Sequence, residues 1–320
     1  MEASVGLVAP EAHECQWEEL WEAPAAEGNK HWPLEICRSC GLARLSRIPT
    51  TAEAYPSEYY GSAAKKFLPG FESLSHVPPV LLSDAERTAK RNASTEGRQP
   101  SILDIGCGRG YLLKRLQRAG WTCAGIDIPE SPLPISEPGF DCRHGDASSL
   151  PWDDDSFDLV VLNHVLEHVP DPLLACREAA RVLRRGGVLY VGVPNFGSWQ
   201  SRLFGRNWFP LEIPRHLFHF RPEALAMLIS KAGMCCGQFK TWSLTQGAFG
   251  FVQSALNAID GSNRNLFLSL IKGRSTASWA RSALHSAGAF LLLPLGIIET
   301  FLASLCRQGP VIALIAEKHR

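Results

Sequence analysis

From residue 101 onward, short apolar runs alternate with segments of helical periodicity: SILDIG, YLLKRLQRAG, WTCAGIDI, DLVVLN, PLLACREAARVLRRGG and VLYVGVPN. That β-α-β-α alternation predicts an α/β fold, a mostly parallel sheet with helices on both faces. A helix over 172–185 would bury Leu173, Leu174, Ala179 and Leu183. Arg184-Arg185 ahead of Gly186-Gly187 read as its basic last turn and glycine C-cap. Residues 1–50 show little periodicity. Residues 51–99 mix aromatics (Tyr55, Tyr59, Tyr60, Phe67, Phe71) with Pro and Ser, and end in a polar stretch, Arg87–Gln99, that reads as a helix end and linker. Between Arg281 and Arg307 lie 25 residues with one carboxylate, Glu299, and no lysine or arginine. By length that stretch could span a bilayer, but Pro294 and Glu299 interrupt it. A helical hairpin or interfacial helix is the better expectation. The alternative is that its apolar face packs on the protein or on a second subunit.

Composition narrows the function classes. The 320 residues are 45% hydrophobic, and 32 Lys+Arg offset 32 Asp+Glu. This is globular material, about two domains' worth, without the overall basic charge of a nucleic-acid binder. The balance hides an asymmetry. Residues 1–60 carry 4 basic and 10 acidic groups, whereas residues 201–320 carry 13 and 5. Ten dispersed cysteines are too few for a disulfide scaffold, and MEASVGLVAPEAHEC lacks the basic and apolar regions of a secretory signal. A cytoplasmic protein with reduced thiols is expected.

The sharpest chemical signal is Asp104-Ile105-Gly106-Cys107-Gly108-Arg109-Gly110, after an apolar strand and before a helix. Glycines there let backbone N–H groups approach a ligand at a helix start. Asp127 follows Gly110 by 17 residues, at the end of the next apolar run. A carboxylate in that place suits the two hydroxyls of a ribose, which NAD and S-adenosylmethionine (SAM) both offer. Asp104 separates them. It would repel a pyrophosphate but attract the ammonium and sulfonium of SAM, and the GxGxG spacing is one residue shorter than the dinucleotide pattern.

Residues 101 to about 240 resemble a class I SAM-dependent methyltransferase, of the broad group that includes ubiquinone-biosynthesis and sugar methyltransferases. ILDIGCGRG, GIDI, Gly145-Asp146-Ala147 with Leu150-Pro151-Trp152, Phe157–Val161 through Asn163–His168, and VLRRGGVLYVGVPN stand in the family's order and spacing. The resemblance implies a Rossmann-like, doubly wound, seven-stranded sheet with SAM as co-substrate. It implies that Gly106, Cys107, Gly108 and Gly110 line the methionine part with Asp104 near its ammonium. Asp127 and Ile128 would hold ribose and adenine, Asp146 and Ala147 would read the adenine edge, and Asn163 and His164 would flank the sulfonium. Glu167 and His168 read as structural, and Asp153-Asp154-Asp155 as a solvated turn.

In-line methyl transfer needs positioning, and a base where the nucleophile is a hydroxyl. Trp208–Phe220 resembles the family's substrate loop. Some relatives carry a glutamate–histidine pair where this chain has Arg215-His216. Arg215 is no base but could clasp a carboxylate or phosphate. His216 is the candidate base or substrate hydrogen-bond partner, His219 is expected in aromatic packing, and Tyr59 and Tyr60 either contact substrate or pack on the core. Cys37-Arg38-Ser39-Cys40-Gly41 resembles half of a zinc ribbon, with His13 and Cys15 in place of the upstream pair. His13, Cys15, Cys37 and Cys40 could together hold zinc, against a degenerate ribbon that has lost it.

The expected organisation is a small zinc-ribbon-like module (1–50), a helical lid and linker (51–99), a SAM-binding core (100–245), an apolar helical insertion (246–308) and the last core strand (309–320). Arg264, Lys272, Arg274 and Arg281 beside the apolar stretch suit an anionic membrane surface, hence a peripheral place on the membrane's inner face. The acceptor is expected to be a small or lipid-linked molecule, with O-methylation slightly preferred and no nucleic-acid partner. N- or C-methylation of a sugar-type substrate is the nearest rival. A non-catalytic SAM-fold partner in a membrane-bound biosynthetic complex is the rival from another class. Oligomeric state is open.

Overall fold

The computed structural model describes residues 15–26, 30–55, 80–131, 133, 139–261, 264–272 and 277–319. His13, Tyr59, Tyr60, Phe67, Phe71 and Arg274 lie outside the described residues. Among the described residues, eleven strands form two sheets. The N-terminal strands are β1 (Trp17–Pro24), β2 (His31–Cys37) and β3 (Ala43–Leu45). The central ones are β4 (Ser101–Ile105), β5 (Thr122–Asp127), β6 (Phe140–His144), β7 (Phe157–Asn163) and β8 (Leu183–Pro194). The last three are β9 (Phe218–His219), β10 (Met234–Lys240) and β11 (Val311–Lys318). The larger sheet has seven strands in the order β10-β11-β8-β7-β4-β5-β6. β4 pairs in parallel with both β5 and β7, and β11 runs antiparallel to its neighbours β8 and β10. This is the Rossmann-like, mostly parallel sheet expected from the sequence.

The apolar runs form strands because each contributes to two cores. Leu103, Val160, Leu162, Leu189 and Leu314 point into one cluster, while Ile102, Leu159, Val161, Tyr190 and Ala313 point into the other. Successive residues face opposite sides of a strand, so a strand buried on both faces has no polar alternation. Helix α2 (Val80–Thr95) and helix α3 (Tyr111–Arg118) cover the second face, through Leu81, Leu82, Ala85, Leu113 and Leu116. Helices α4 (Pro172–Val182) and α6 (Pro222–Lys231) cover the first, through Ala175, Ala179, Leu225 and Ile229. The stretch from Arg87 read as a helix end and linker is thus helix as far as Thr95. The short helix α1 (Thr51–Ala54) follows the first sheet, and α5 (Trp199–Phe204) follows β8.

Helix α4 starts as its sequence directs, with the Asp171 carboxylate accepting the Leu174 N–H (2.9 Å) and Pro172 in the first turn. It stops three residues earlier than expected. Leu183 is extended, Leu174 is exposed, and Arg184 lies on β8 rather than in a last helical turn. The reason is a buried carboxylate. Asp158 accepts the Ser101 N–H and hydroxyl (2.9 and 2.8 Å), both terminal nitrogens of Arg98 (3.2 and 2.9 Å) and Arg184 Nη1 (3.3 Å). Arg184 is drawn to the amino ends of β4 and β7 instead of capping a helix.

Residues 1–50, short on periodicity, contain three strands. β1, β2 and β3 pair antiparallel in sequence, and β3 pairs with β9, Ala43 opposite His219 and Arg44 opposite Phe218. Trp32, Leu34, Ala43 and Leu45 pack with Phe196, Trp208, Leu211, Ile213 and Leu217. The N-terminal module therefore clamps the loop that carries His216. After β10 come α7 (Leu244–Ile259), α8 (Leu266–Ile271) and α9 (Trp279–Leu305), before β11 returns to the sheet. The tri-aspartate turn is exposed and tied down by Arg181 to Asp154 and by Lys318 to Asp155, each at 2.8 Å.

Replacing Asp158 with Ala leaves two guanidinium groups and the Ser101 donors without their acceptor. Chemical denaturation of Asp158→Ala should show a loss of about 3–5 kcal/mol.

Candidate active site around the glycine loop

The strand order reverses at β4, whose carboxyl end opens between β5 and β7. Crevices of this kind are where open α/β sheets bind ligands. The glycine loop leaves β4 there. Gly106, Gly108 and Gly110 all have positive φ (76°, 50° and 69°), the left-handed region costly to other residues. At Gly106 a side chain is also excluded by contact, since a Cβ would lie 2.3 Å from Val165 Cγ2. Asp127, at the end of β5, tethers the loop. One carboxylate oxygen accepts the Gly108 N–H (2.7 Å) and the Ser131 hydroxyl (3.0 Å), and the other accepts the Ile128 N–H (2.8 Å).

Around this crevice the structure brings together most of the residues singled out in sequence. Asp104 is buried at the foot of the loop, and Cys107 packs against Gly125 of β5. Burial, then the nearby Asp127 charge, pushes the Asp104 carboxyl up to about 8. Asp146 and Ala147 follow β6, Asp146 exposed and accepting the Ser148 N–H (2.6 Å), Ala147 buried. Asn163 closes β7 over Gly192 of β8. His164, at positive φ (56°), donates its N–H to the Gly192 carbonyl (2.8 Å).

Next to His164 lies a buried acid–histidine cluster. His164 Nδ1 is 3.1 Å from Glu167 Oε1, and His164 Nε2 is 2.6 Å from the Gln246 amide of α7. His168 Nδ1 lies 3.1 Å from the Arg215 carbonyl and 3.2 Å from the Tyr55 hydroxyl. His216 Nδ1 lies 2.8 Å from the Pro210 carbonyl, and its ring meets His168 edge-on at 4.6 Å. A carbonyl only accepts, so each Nδ1 bears the proton and each Nε2 is left as the basic position. Burial works against charge on both carboxylates. Even so, His164, with help from His168 and His216, brings Glu167 down to about 2, and His216, Arg215 and His168 lower Glu212. Burial, then His216, takes His168 down to about 4 and His219 down to about 3. At neutral pH the cluster pairs ionised carboxylates with neutral His168 and His219.

Three features differ from the sequence reading or were missed by it. Arg215 does not face outward for a substrate anion; it is buried and donates Nε to Glu212 (3.0 Å). The acid beside His216 is Glu212, four residues before it, 3.6 Å from its Nε2. Gln246 arrives from a helix that carries no motif. His219 packs against Phe196 (5.6 Å between ring centres), as expected.

Two groups among the described residues have the composition of metal ligands. Glu167, His168 and His216 offer donor atoms within 4.8 Å of one another, and so do Cys15, Cys37 and Cys40. In the latter, the Gly41 N–H donates to the Cys37 carbonyl (2.9 Å) and the Cys37 N–H to the Leu42 carbonyl (2.8 Å), with Gly41 at φ 69°. None of the ten cysteines is in a disulfide.

Residues 103–191 match the family described as "Methyltransferase domain". The chain is similar to a ubiquinone biosynthesis O-methyltransferase of Aromatoleum aromaticum, 30% identical over 51% of this chain and 74% of the relative. The chain belongs to the class I SAM-dependent methyltransferases. A second protein with that description, from Dinoroseobacter shibae, is 28% identical to this methyltransferase over 57% of the chain and 79% of its own length. Among solved structures, a putative sarcosine dimethylglycine methyltransferase from Galdieria sulphuraria aligns with TM-score 0.47 and 17% identity, covering 74% of this chain and 86% of that one. The methyltransferase's co-substrate is SAM.

Asp104 gives the site a pH signature. Its folded-state pKa of about 8 lies above the ordinary carboxylate value. The stability it contributes is complete in acid and is lost as pH rises through about 8. A cationic ligand favours the ionised form. SAM binding near pH 7 should therefore release about one proton, and affinity should climb between about pH 6.5 and about pH 8.5. Calorimetry in buffers of different ionisation enthalpy should show both effects, and Asp104→Asn should abolish both.

Proposed function

We propose that this methyltransferase transfers the methyl group of SAM to a hydroxyl of a small or lipid-linked acceptor. Gly106, Cys107, Gly108 and Gly110 line the methionine part, with Asp104 at its ammonium. Asp127 and Ile128 take ribose and adenine, Asp146 and Ala147 border the adenine, and Asn163 and His164 flank the sulfonium. The observation that carries O-methylation is the cluster beside His164. O-methylation needs a base for the hydroxyl proton, and His216 has Nε2 available with Glu212 3.6 Å away to stabilise the imidazolium. As the acceptor oxygen bonds to the methyl carbon, the carbon–sulfur bond breaks, its electron pair stays on sulfur, and the proton passes to His216. S-adenosylhomocysteine and the methyl ether leave. The relatives described as O-methyltransferases support the same preference.

The test uses SAM with a deuterated methyl group and a cell extract separated into polar and lipid fractions. Mass spectrometry should find a product with one CD3 on oxygen. CD3 on nitrogen or carbon would overturn the hydroxyl assignment. With that product in hand, His216→Ala should lower kcat by about 10²–10⁴-fold while leaving SAM affinity unchanged.

The three N-terminal thiols support a zinc knuckle. Burial, together with Cys37 and Cys40, pushes the Cys15 thiol up to about 12, so without a metal it stays protonated. A divalent ion of soft-ligand preference would draw off those protons and staple β1 to the β2–β3 turn. His13 is the fourth ligand in this reading. Elemental analysis of the purified chain should find about one zinc per chain, and none in Cys37→Ser/Cys40→Ser. We further place the enzyme in the cytoplasm, peripheral to the inner face of the membrane. The exposed apolar helix α9 supports that placement.

A further inference from the structure

Helix α9 touches the rest of the protein along one narrow stripe: His285, Ala289, Gly296, Thr300 and Ala303 are its buried positions. Its remaining circumference is apolar and open. Trp279, Leu284, Phe290, Leu291, Leu295, Ile298, Phe301 and Leu305 are all more than half exposed, Phe290 and Leu291 at 78% and 72%. At 100° per residue these side chains sweep an arc of about 160°. The apolar stripe of a helix packed on protein is commonly about 100° wide, so a second copy would leave over a third of this arc in water. A fluid acyl layer covers all of it.

The helix lies flat rather than crossing. It is about 40 Å long and follows α7 over its length. Leu256 meets Gly288, the Ala248 carbonyl would lie 3.0 Å from a Cβ on Gly296, Thr300 sits against Gly247, and Ser304 Oγ donates to the Thr241 carbonyl (3.1 Å). α7 is in turn buried at nine positions between Gly247 and Asn257. The lone carboxylate, Glu299, turns inward to accept from Gln200 (2.6 Å). Exposed Arg281 precedes the apolar span, Arg307 follows it and Arg202 lies beside its end. These cations complement an anionic headgroup layer.

The apolar surface continues to the active site. Phe301 meets Trp242 edge-on at 6.2 Å, Leu244 beyond it is exposed, and Gln246, two residues on, reaches His164. We propose that α9 is an in-plane anchor that docks on an anionic lipid surface. Docking holds the mouth formed by Trp242, Leu244 and Gln246 against that surface, so that a lipophilic acceptor passes from the acyl layer to His164. This rests on the peripheral placement proposed above, and it names the surface, its orientation and the class of acceptor.

Flotation of the full chain with vesicles of phosphatidylcholine and phosphatidylglycerol tests the docking, with SAM calorimetry and circular dichroism on the same samples. The wild type should float, less so as salt is raised. Phe290→Glu/Ile298→Glu should lose at least about tenfold in partitioning while keeping its helix content and SAM affinity. A wild type that stays at the bottom overturns the proposal. If it also sediments as a dimer that the double variant dissolves, a second copy is the occupant. Loss of SAM binding in the wild type would sink the site reading whatever the vesicles show. Bromine-labelled acyl chains test the mouth. Quenching of tryptophan fluorescence should fall in Trp242→Phe, and unchanged quenching would overturn that placement.

Discussion

The Gly108 N–H and the Asp127 carboxylate, 2.7 Å apart, join the carboxyl ends of β4 and β5 across the point where the strand order reverses. Three glycines at positive φ lie on one side of that bond and the Ile128 turn on the other. It ties the glycine loop to the end of β5. Val165 closes the loop from the β7 side, where only a missing Cβ at Gly106 admits it. The proposed co-substrate pocket is thus framed by backbone geometry and one carboxylate, with a second carboxylate, Asp104, beneath it, whose pKa is raised by burial.

The acceptor side is built differently. His216 is positioned by a small antiparallel sheet that recruits two residues of the substrate loop as its edge strand, β9. The N-terminal module therefore sets the place of His216, the proposed base, through register: Ala43 and Arg44 pair with His219 and Phe218, and His216 lies two residues before Phe218. Around it, buried carboxylates stay ionised because imidazoles and Arg215 face them, and the His168 imidazole stays neutral because burial and its neighbour discourage charge. A zinc ion at Cys15, Cys37 and Cys40 would stiffen the same sheet from its far end.

The parts that were legible in sequence are those whose physics is local. β4, β5, β7 and β8 read as strands because burial on both faces makes them continuous apolar runs, and the glycine loop reads as a ligand site because only glycine tolerates its φ values. The unreadable parts depend on distant partners. WEELWEAP and HWPLEIC are strands because they pair with each other over a core supplied by Trp208 and Leu211, far along the chain. Glu212 reaches His216 through a left-handed turn at Glu212 itself (φ 39°), which no spacing rule anticipates at a non-glycine residue. Gln246 comes to His164 only because α7 packs across the mouth. Helix α4 ends early because Asp158, on another strand, claims Arg184. The apolar stretch before β11 was visible by composition, but the stripe that leaves about half of α9's circumference open could be seen only after α7 was in place.

The proposed ligand of this crevice is a cationic nucleoside and not a pyrophosphate. Calorimetric titration of the purified full chain with SAM and, separately, with NAD separates the two. Saturable binding of SAM at one site per chain is expected, and none of NAD. Binding of NAD, or no binding of SAM, would contradict the proposed site.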